Sequence, residues 1–238
     1  MTFGQSVATP AGQRQPAVRA PLRQQAKRER IVQVAMEQFA AGGYEGAKVE
    51  AIAAAAGVSK GAVFGYFGSK AGLFLATYRT ASRSFSRYLD APDEVIAGGF
   101  FAVITYWLQH TPELVHGGWV PYRVTLLGNY CSDLDLRRSI TQFLQLEDPY
   151  GTRAFVQFGI ERGEVRTDID AAMIVSLTDW LMDRLQDEIV TEELDPGLFG
   201  LSMQPRQLRE RRVRQFVQLL RGAVGVGRST ERGLGAGE

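Results

Sequence analysis

The sequence predicts an all-α fold, an N-terminal three-helix helix-turn-helix domain joined to a helical bundle. Three observations predict it. Apolar residues recur at three- and four-residue intervals through most of the 238 residues. No segment keeps the long alternation of a half-buried strand. Between Ala51 and Tyr66, a run of small residues, a glycine-bearing turn and a second short helical stretch follow in helix-turn-helix order. With 45% hydrophobic and 22% charged residues, the chain has the composition of a globular protein with a full core.

Taken in chain order, residues 1–24 are rich in Ala, Gln, Gly and Pro without an apolar period, which reads as a flexible basic arm carrying Arg14, Arg19 and Arg23. Ile31, Ala35, Met36 and Phe39 mark one face of a first helix that Gly42-Gly43 ends. Ala53 and Ala56 let two helices approach closely, Gly57 supplies a turn that a Cβ would oppose, and Ser59 is placed to cap the next helix. Phe74, Tyr78, Ala81, Phe85 and Tyr88 then form an amphipathic stripe. From Val95 to Pro112 there is no charge, approaching the ~18–20 residues that span a bilayer. Gly98, Gly99, Gln109, His110 and Pro112 dilute that run, so a buried helix is expected and no membrane partner. Leu177, Leu181, Leu185 and Ile189 form another stripe, and Val213, Phe216, Val217, Leu220 and Val224 a last one. Breakers are expected at Pro92, Pro112, Pro121, Pro149, Gly163, Pro196 and Pro205, and a frayed tail from Gly225. The division that follows is an arm over 1–24, a helix-turn-helix domain over 25–72, a helical body over 73–224 and a tail over 225–238.

Charge is distributed unevenly. The net charge is +1, yet residues 1–70 hold all four lysines (Lys27, Lys48, Lys60, Lys70) and are basic, while the remainder is mildly acidic. That split suits a small polyanion-binding head on a larger body. Enzyme chemistry finds little support. Cys131 is the sole cysteine, without a nucleophile motif, and Glu113-x-x-His116 is a single copy of a spacing that di-iron bundles use twice. Neither a Walker loop nor a G-x-G-x-x-G follows a strand. No cofactor or metal is expected, and the lack of a signal-peptide pattern points to the cytoplasm.

The residues Ile31-x3-Ala35-x3-Phe39, Gly43-Tyr44, Val49-x2-Ile52-Ala53-x2-Ala56-Gly57-Val58-Ser59-x-Gly61 and Tyr66-Phe67-x-Ser69-Lys70-x2-Leu73 resemble, in order and spacing, the DNA-binding domain of the TetR family of transcriptional regulators. The resemblance covers about residues 28–75 and implies a supporting helix over 28–45, a second helix over 49–56, a recognition helix over 60–66 and a linking helix from Lys70. It also implies a body that binds a small molecule and a homodimer formed by the last two long helices. Further on, Gly163-Glu164-Val165-Arg166-x-Asp168-x-Asp170 before a long helix is a common family arrangement. Three departures stand out: Ala47-Lys48 replaces a hydroxyl cap, Phe64 a tyrosine, and Gly65 a larger residue.

The candidate DNA-binding residues are therefore Lys48, Ser59, Lys60, Ala62, Val63, Phe64, Tyr66 and Lys70. Lys60 can donate to guanine, Ala62 or Val63 can pack on a thymine methyl, and Lys70 is the expected phosphate binder. In the body, helical bundles bind ligands in apolar pockets with a few polar groups. Tyr106, Trp107, Trp119, Tyr122, Arg123, Phe155 and Phe158 are the ligand-binding candidates, with Asn129 and Gln142 as further polar ones. The function expected is a dimeric, ligand-responsive transcription regulator that binds double-stranded DNA at a palindromic operator and is released by a small apolar or amphipathic effector. A DNA-binding architectural protein without a ligand and a helical-bundle enzyme are the alternatives.

Overall fold

In a computed structural model, residues 19–85, 90–191, 194 and 206–227 are described. Four helices build the head. The first, α1 (Arg19–Gly46), starts inside the stretch expected as an arm. Leu22 to Arg30 are exposed, so these turns need no apolar stripe; Arg, Gln and Lys favour a helix without one. Residues 1–18 of the expected arm, Arg14 among them, lie outside the described residues. From Ile31 the helix acquires its buried face, with Ile31, Ala35 and Phe39 fully covered. It bends at Gly43 and runs on to Gly46, past the expected stop.

Two short helices follow, α2 (Val49–Ala55) and α3 (Lys60–Phe67). Gly57 joins them at φ 65°, the left-handed conformation its missing Cβ permits. Ser59 caps α3, its Oγ accepting from Ala62 N–H at 3.1 Å. Lys48 occupies the N-cap of α2 and makes no such bond. The linking helix α4 (Lys70–Phe85) buries Leu73, Phe74, Tyr78 and Ala81 completely. The Phe85 side chain and Tyr88, next in that stripe, lie outside the described residues.

The body adds α5 (Asp93–Ala97), α6 (Phe100–Gly117), α7 (Trp119–Asn129), α8 (Leu134–Glu147), α9 (Thr152–Glu161), α10 (Ala171–Val190) and α11 (Arg206–Val224). Two of the expected breakers do not break. Pro112 lies inside α6, where one missing N–H is outweighed by burial on both sides of it, at Leu108 and Val115. Pro121 falls in the first turn of α7, where its N–H would have no intrahelical partner anyway. Pro196 and Pro205 lie outside the described residues. So does the tail from 228 onward, whereas its start is pinned: Gly225 bridges Val165, and Val226 N–H donates to Glu164 O at 3.1 Å.

Packing does not follow the boundary at residue 73. One core joins the head to α7 and α8, through Phe39, Val63, Phe74, Tyr78, Val124, Ile140 and Phe143. A second core lies among α6, α9, α10 and α11 and includes Phe100, Ile104, Leu185, Ile189, Val213 and Leu220. The two apolar stripes expected at a dimer face are thus largely consumed inside the protomer, because α6 packs against both α10 and α11. The large apolar side chains that α10 and α11 leave exposed, among the described residues, are Met173, Trp180 and Leu219. Among the described residues, no helix is long and apolar enough to cross a membrane.

Candidate functional site

The outer face of α2 and α3 gathers several of the predicted DNA-facing residues. Lys48, Lys60, Phe64 and Gly65 are exposed there, with Ala62 and Tyr66 partly so. Lys60 Nζ lies 2.5 Å from Glu50 on α2 and 5.6 Å from the centre of the Phe64 ring. Its hydrogen bond and charge hold the Glu50 carboxyl below its ordinary range. The open surface at Gly65 would accept a Cβ without contact.

Two predicted residues sit differently. Val63 is fully buried in the head's core, so it anchors α3 and cannot reach a thymine methyl; the inward face of a two-turn helix needs one such anchor. Lys70 turns back on α1, donating to Glu45 O at 3.1 Å and lying 5.0 Å from the Tyr44 ring centre. Its ammonium thereby satisfies a carbonyl at the end of α1, an established use of lysine near helix C-termini. Phe67 is partly buried, with the Arg28 guanidinium 5.3 Å over its ring.

In the body, a cavity of about 60 Å³ lies between α6, α7, α9 and α10, with Trp107, Tyr122, Asn129, Tyr150, Phe155 and Met182 among its walls. It shares Asn129, Tyr150, Thr152 and the aspartates of α10 with a groove of about 990 Å³ that also reaches α8. Trp107, Tyr122 and Phe155 were expected here, and the Trp107 and Phe155 rings meet at 4.8 Å. Tyr106 stacks instead on His110, Trp119 is 48% exposed, and Arg123 lies outside the lining. Phe158 is outside the lining, stacked on Phe155 at 6.3 Å with the Arg162 guanidinium 5.4 Å from its ring centre. Gln142 is exposed on α8. These misses share a cause: aromatic density along the chain marks a core-rich region, but which rings face the gap depends on helix packing.

The cavity's distinctive groups were not anticipated. Asp179, Asp183 and Asp187 stand one helical turn apart on α10 and all line it, and none of the described lining residues is basic. Asp179 accepts from Thr152 Oγ1 at 2.5 Å, and Asp187, only 4% exposed, accepts from Tyr122 OH at 2.8 Å. Burial, together with the charges of Asp187 and Asp179, pushes the Asp183 carboxyl up to about 8. Burial pushes Asp187 up to about 6, against the pull of its Tyr122 bond. The signal was present in the sequence: acids spaced by four on a helix whose exposed side carries Met173 and Trp180.

Cavity and head meet through α4. Tyr78, fully buried on that helix, donates to Asn129 Oδ1 in the cavity wall at 2.9 Å. At the same crossing, a Cβ on Gly128 would come within 2.4 Å of the Tyr78 ring, so α7 and α4 pack as closely as glycine allows.

Comparison with known proteins agrees with this architecture. Residues 31–77 match the model of the bacterial regulatory proteins of the tetR family. The chain is similar to the HTH-type transcriptional repressor AcnR of Corynebacterium glutamicum, 25% identical over 171 residues that cover 72% of this chain and 86% of the relative. It is similar to AcnR of Corynebacterium efficiens at 28% identity with the same coverage. Among solved structures, the regulator FadR from Bacillus subtilis, in complex with stearoyl-CoA, shares the fold with a TM-score of 0.55 and 20% identity, covering 81% of this chain and 96% of that one. A TetR regulator from Chloroflexus aurantiacus does so with a TM-score of 0.55 and 23% identity, covering 87% and all of that chain. A helix-turn-helix head matched over residues 31–77 by the tetR-family model, on a helical body with the fold of solved regulators, makes the chain similar to the transcriptional regulators of that family.

Proposed function

We propose that the protein is a repressor that binds a palindromic operator as a homodimer in the cytoplasm and is released when a small molecule occupies the body cavity. The observation that carries this reading is the Tyr78–Asn129 bond, which ties the cavity wall to the helix leading out of the head. A ligand that prefers one arrangement of α7 biases α4 and with it the placing of α3, by no more than its differential affinity for the two arrangements. This coupling favours a ligand-responsive regulator over an architectural protein without an effector.

On DNA, Lys60 would donate to guanine, Ala62 and Phe64 would meet thymine methyls, and Ser59, Tyr66 and Lys48 would face phosphates. Lys70 would have to exchange its carbonyl partner for a phosphate. One such head has few base contacts, each discriminating by about 1–3 kcal/mol, so specificity calls for two. The exposed Met173, Trp180 and Leu219 would give such a dimer apolar contacts. Trp180→Glu is accordingly expected to yield monomers and to lose operator binding together. Leu220, buried inside the protomer, would report on folding instead.

The test is binding to DNA flanking the protein's own gene, compared with random DNA at one near-physiological salt concentration. Preference for the flank by a dimer, weakened by Lys60→Ala, is the expected result. Equal affinity for both, with no response to that substitution, would sink the reading.

A further inference from the structure

The lining of the body cavity narrows what its effector can be. We propose that the cavity takes an organic cation, a protonated amine or quaternary ammonium carried on an apolar body. This inference rests on the effector-responsive reading and specifies the chemistry of its ligand.

Three observations carry it. Asp183 lines the cavity without a hydrogen bond or ion pair among the described residues, while Asp179 and Asp187 on either side bond neutral hydroxyls and feel Arg153 and Arg184 without pairing with them. A half-buried carboxylate without an ion-pair partner is costly, and a cation that enters the cavity removes that cost. Next, the basic groups nearby are engaged elsewhere. Arg184, beside Asp187, donates to Glu188 at 2.7 Å, to Tyr130 OH at 3.1 Å and to Leu194 O at 3.3 Å. Arg137 and Arg153, on the outer groove, donate to the carbonyls of Cys131 and Gln145. Finally, the same cavity is lined by the aromatic Trp107, Tyr122, Tyr150 and Phe155, side chains that attract a cation through their rings and give its body apolar surface.

A metal ion fits poorly. Successive aspartates are about 6 Å apart along α10, and no group of His, Cys, Asp or Glu placed to hold a metal occurs among the described residues. An acyl-CoA or other anion would bring negative charge against the acid row, so the ligand in the solved FadR complex does not suit this lining.

The experiment pairs cations with ligands of matched shape: tetraphenylphosphonium with tetraphenylborate, benzyltrimethylammonium with neopentylbenzene, decyltrimethylammonium with decanoate. Stearoyl-CoA serves as a large anion. Thermal shift and calorimetry on the full chain at pH 8 are expected to show stabilisation and binding by at least one cation and by none of its counterparts. Asp183→Asn should weaken that binding at least tenfold, and Asp135→Asn, altering an exposed carboxylate of α8, should leave it unchanged. The same cation should release the operator. Binding of no cation, equal binding of cation and counterpart, or full binding to the Asp183→Asn protein overturns the proposal. Operator release by stearoyl-CoA or a neutral ligand would also overturn it while leaving the repressor reading intact. Failure to prefer any operator, in contrast, would count against the repressor reading alone, since cation binding is read without DNA.

Discussion

Lys60 on α3 meets Glu50 in open water, whereas Asp183 on α10 faces a cavity with no cation among the described residues to meet it. The head keeps its charges hydrated and paired across two short helices. Such a pair adds little net stability, and a phosphate or base edge can take over one member at small cost. The body keeps the acid row of α10 partly out of water and without an ion pair among the described residues, so each proton or cation that reaches it changes the free energy of the fold. The comparison separates two ways of being ready for a ligand: loosely held charge for a polyanion, and destabilising charge for a small cation.

The largest effect should come from removing the body's acid. Asp183, pushed up to about 8, keeps its proton in the folded chain over a pH range where the unfolded chain, with an ordinary carboxylate, has lost it. Protonation therefore favours the fold, and stability falls as pH rises from about 4 to about 8 and then levels off. The charged and titratable groups around it, Asp179 and Asp187 on its own helix and the phenols of Tyr78 and Tyr150, offer no positive charge to offset this. Water in the outer groove screens part of the penalty, which leaves on the order of 2–3 kcal/mol at pH 8. Asp183→Asn should then melt roughly 5–10 °C above the parent at pH 8 without ligand, and level with it below pH 4. Melting curves of both proteins across that range check this. A variant no more stable than the parent at pH 8 would mean that the cavity is already neutralised.

The next effect falls on the joint between the two regions. Gly128→Ala puts a methyl within 2.4 Å of the Tyr78 ring, and both partners are buried, so α7 and α4 must separate. Overpacking of this kind costs about 1–3 kcal/mol, readable from urea unfolding. DNA affinity without effector should change along with it, since α4 carries the displacement to α3. A stable variant with unaltered DNA binding would show that this crossing does not couple body and head.

These two regions were also unequally legible from the sequence. The helix-turn-helix is local: Gly57 at φ 65°, Ser59 capping α3 and the bounds of α2 and α3 follow from neighbours a few residues away. Even there, periodicity could not show that Val63 points inward or that Lys70 folds back on Glu45, because both depend on α1 packing across the turn. The helical class of the body was legible for the same local reason. Its cavity was not, since it joins residues from Trp107 to Asp187 that only tertiary packing brings together. The acid row gave no local sign of its place either. On an amphipathic helix, acids spaced by four ordinarily mark the wet side, and here Trp180 occupies the exposed side instead.

Smaller effects return to the head. Ser59→Ala removes the bond to Ala62 N–H and should cost about 1 kcal/mol, a loss of one to a few degrees in melting temperature. Lys48, which leaves α2 without a side-chain cap, is exposed on the same face. If it meets a phosphate, Lys48→Ala should reduce the slope of log affinity against log salt by about 1, equally for flank and random DNA. An unchanged slope assigns Lys48 to the solvated surface.

The subtlest change tests whether the head's paired charge is as available as its exposure implies. Glu50→Gln removes the partner of Lys60 without altering the shape of α2. It also removes a negative charge from the surface that would face DNA. Both consequences act in one direction, so affinity for any DNA should rise about threefold or more at low salt and converge on the parent as salt screens the difference. The discriminating measurement is the ratio of operator to random affinity. Should the freed Lys60 reach a guanine, operator binding gains more than random binding does, because a base contact adds to the phosphate attraction. An equal gain on both would place Lys60 on the backbone and leave sequence reading to Ala62, Phe64 and Tyr66. Such a result would move the head closer to a charge-driven reader and make the spacing of its two copies the main source of specificity.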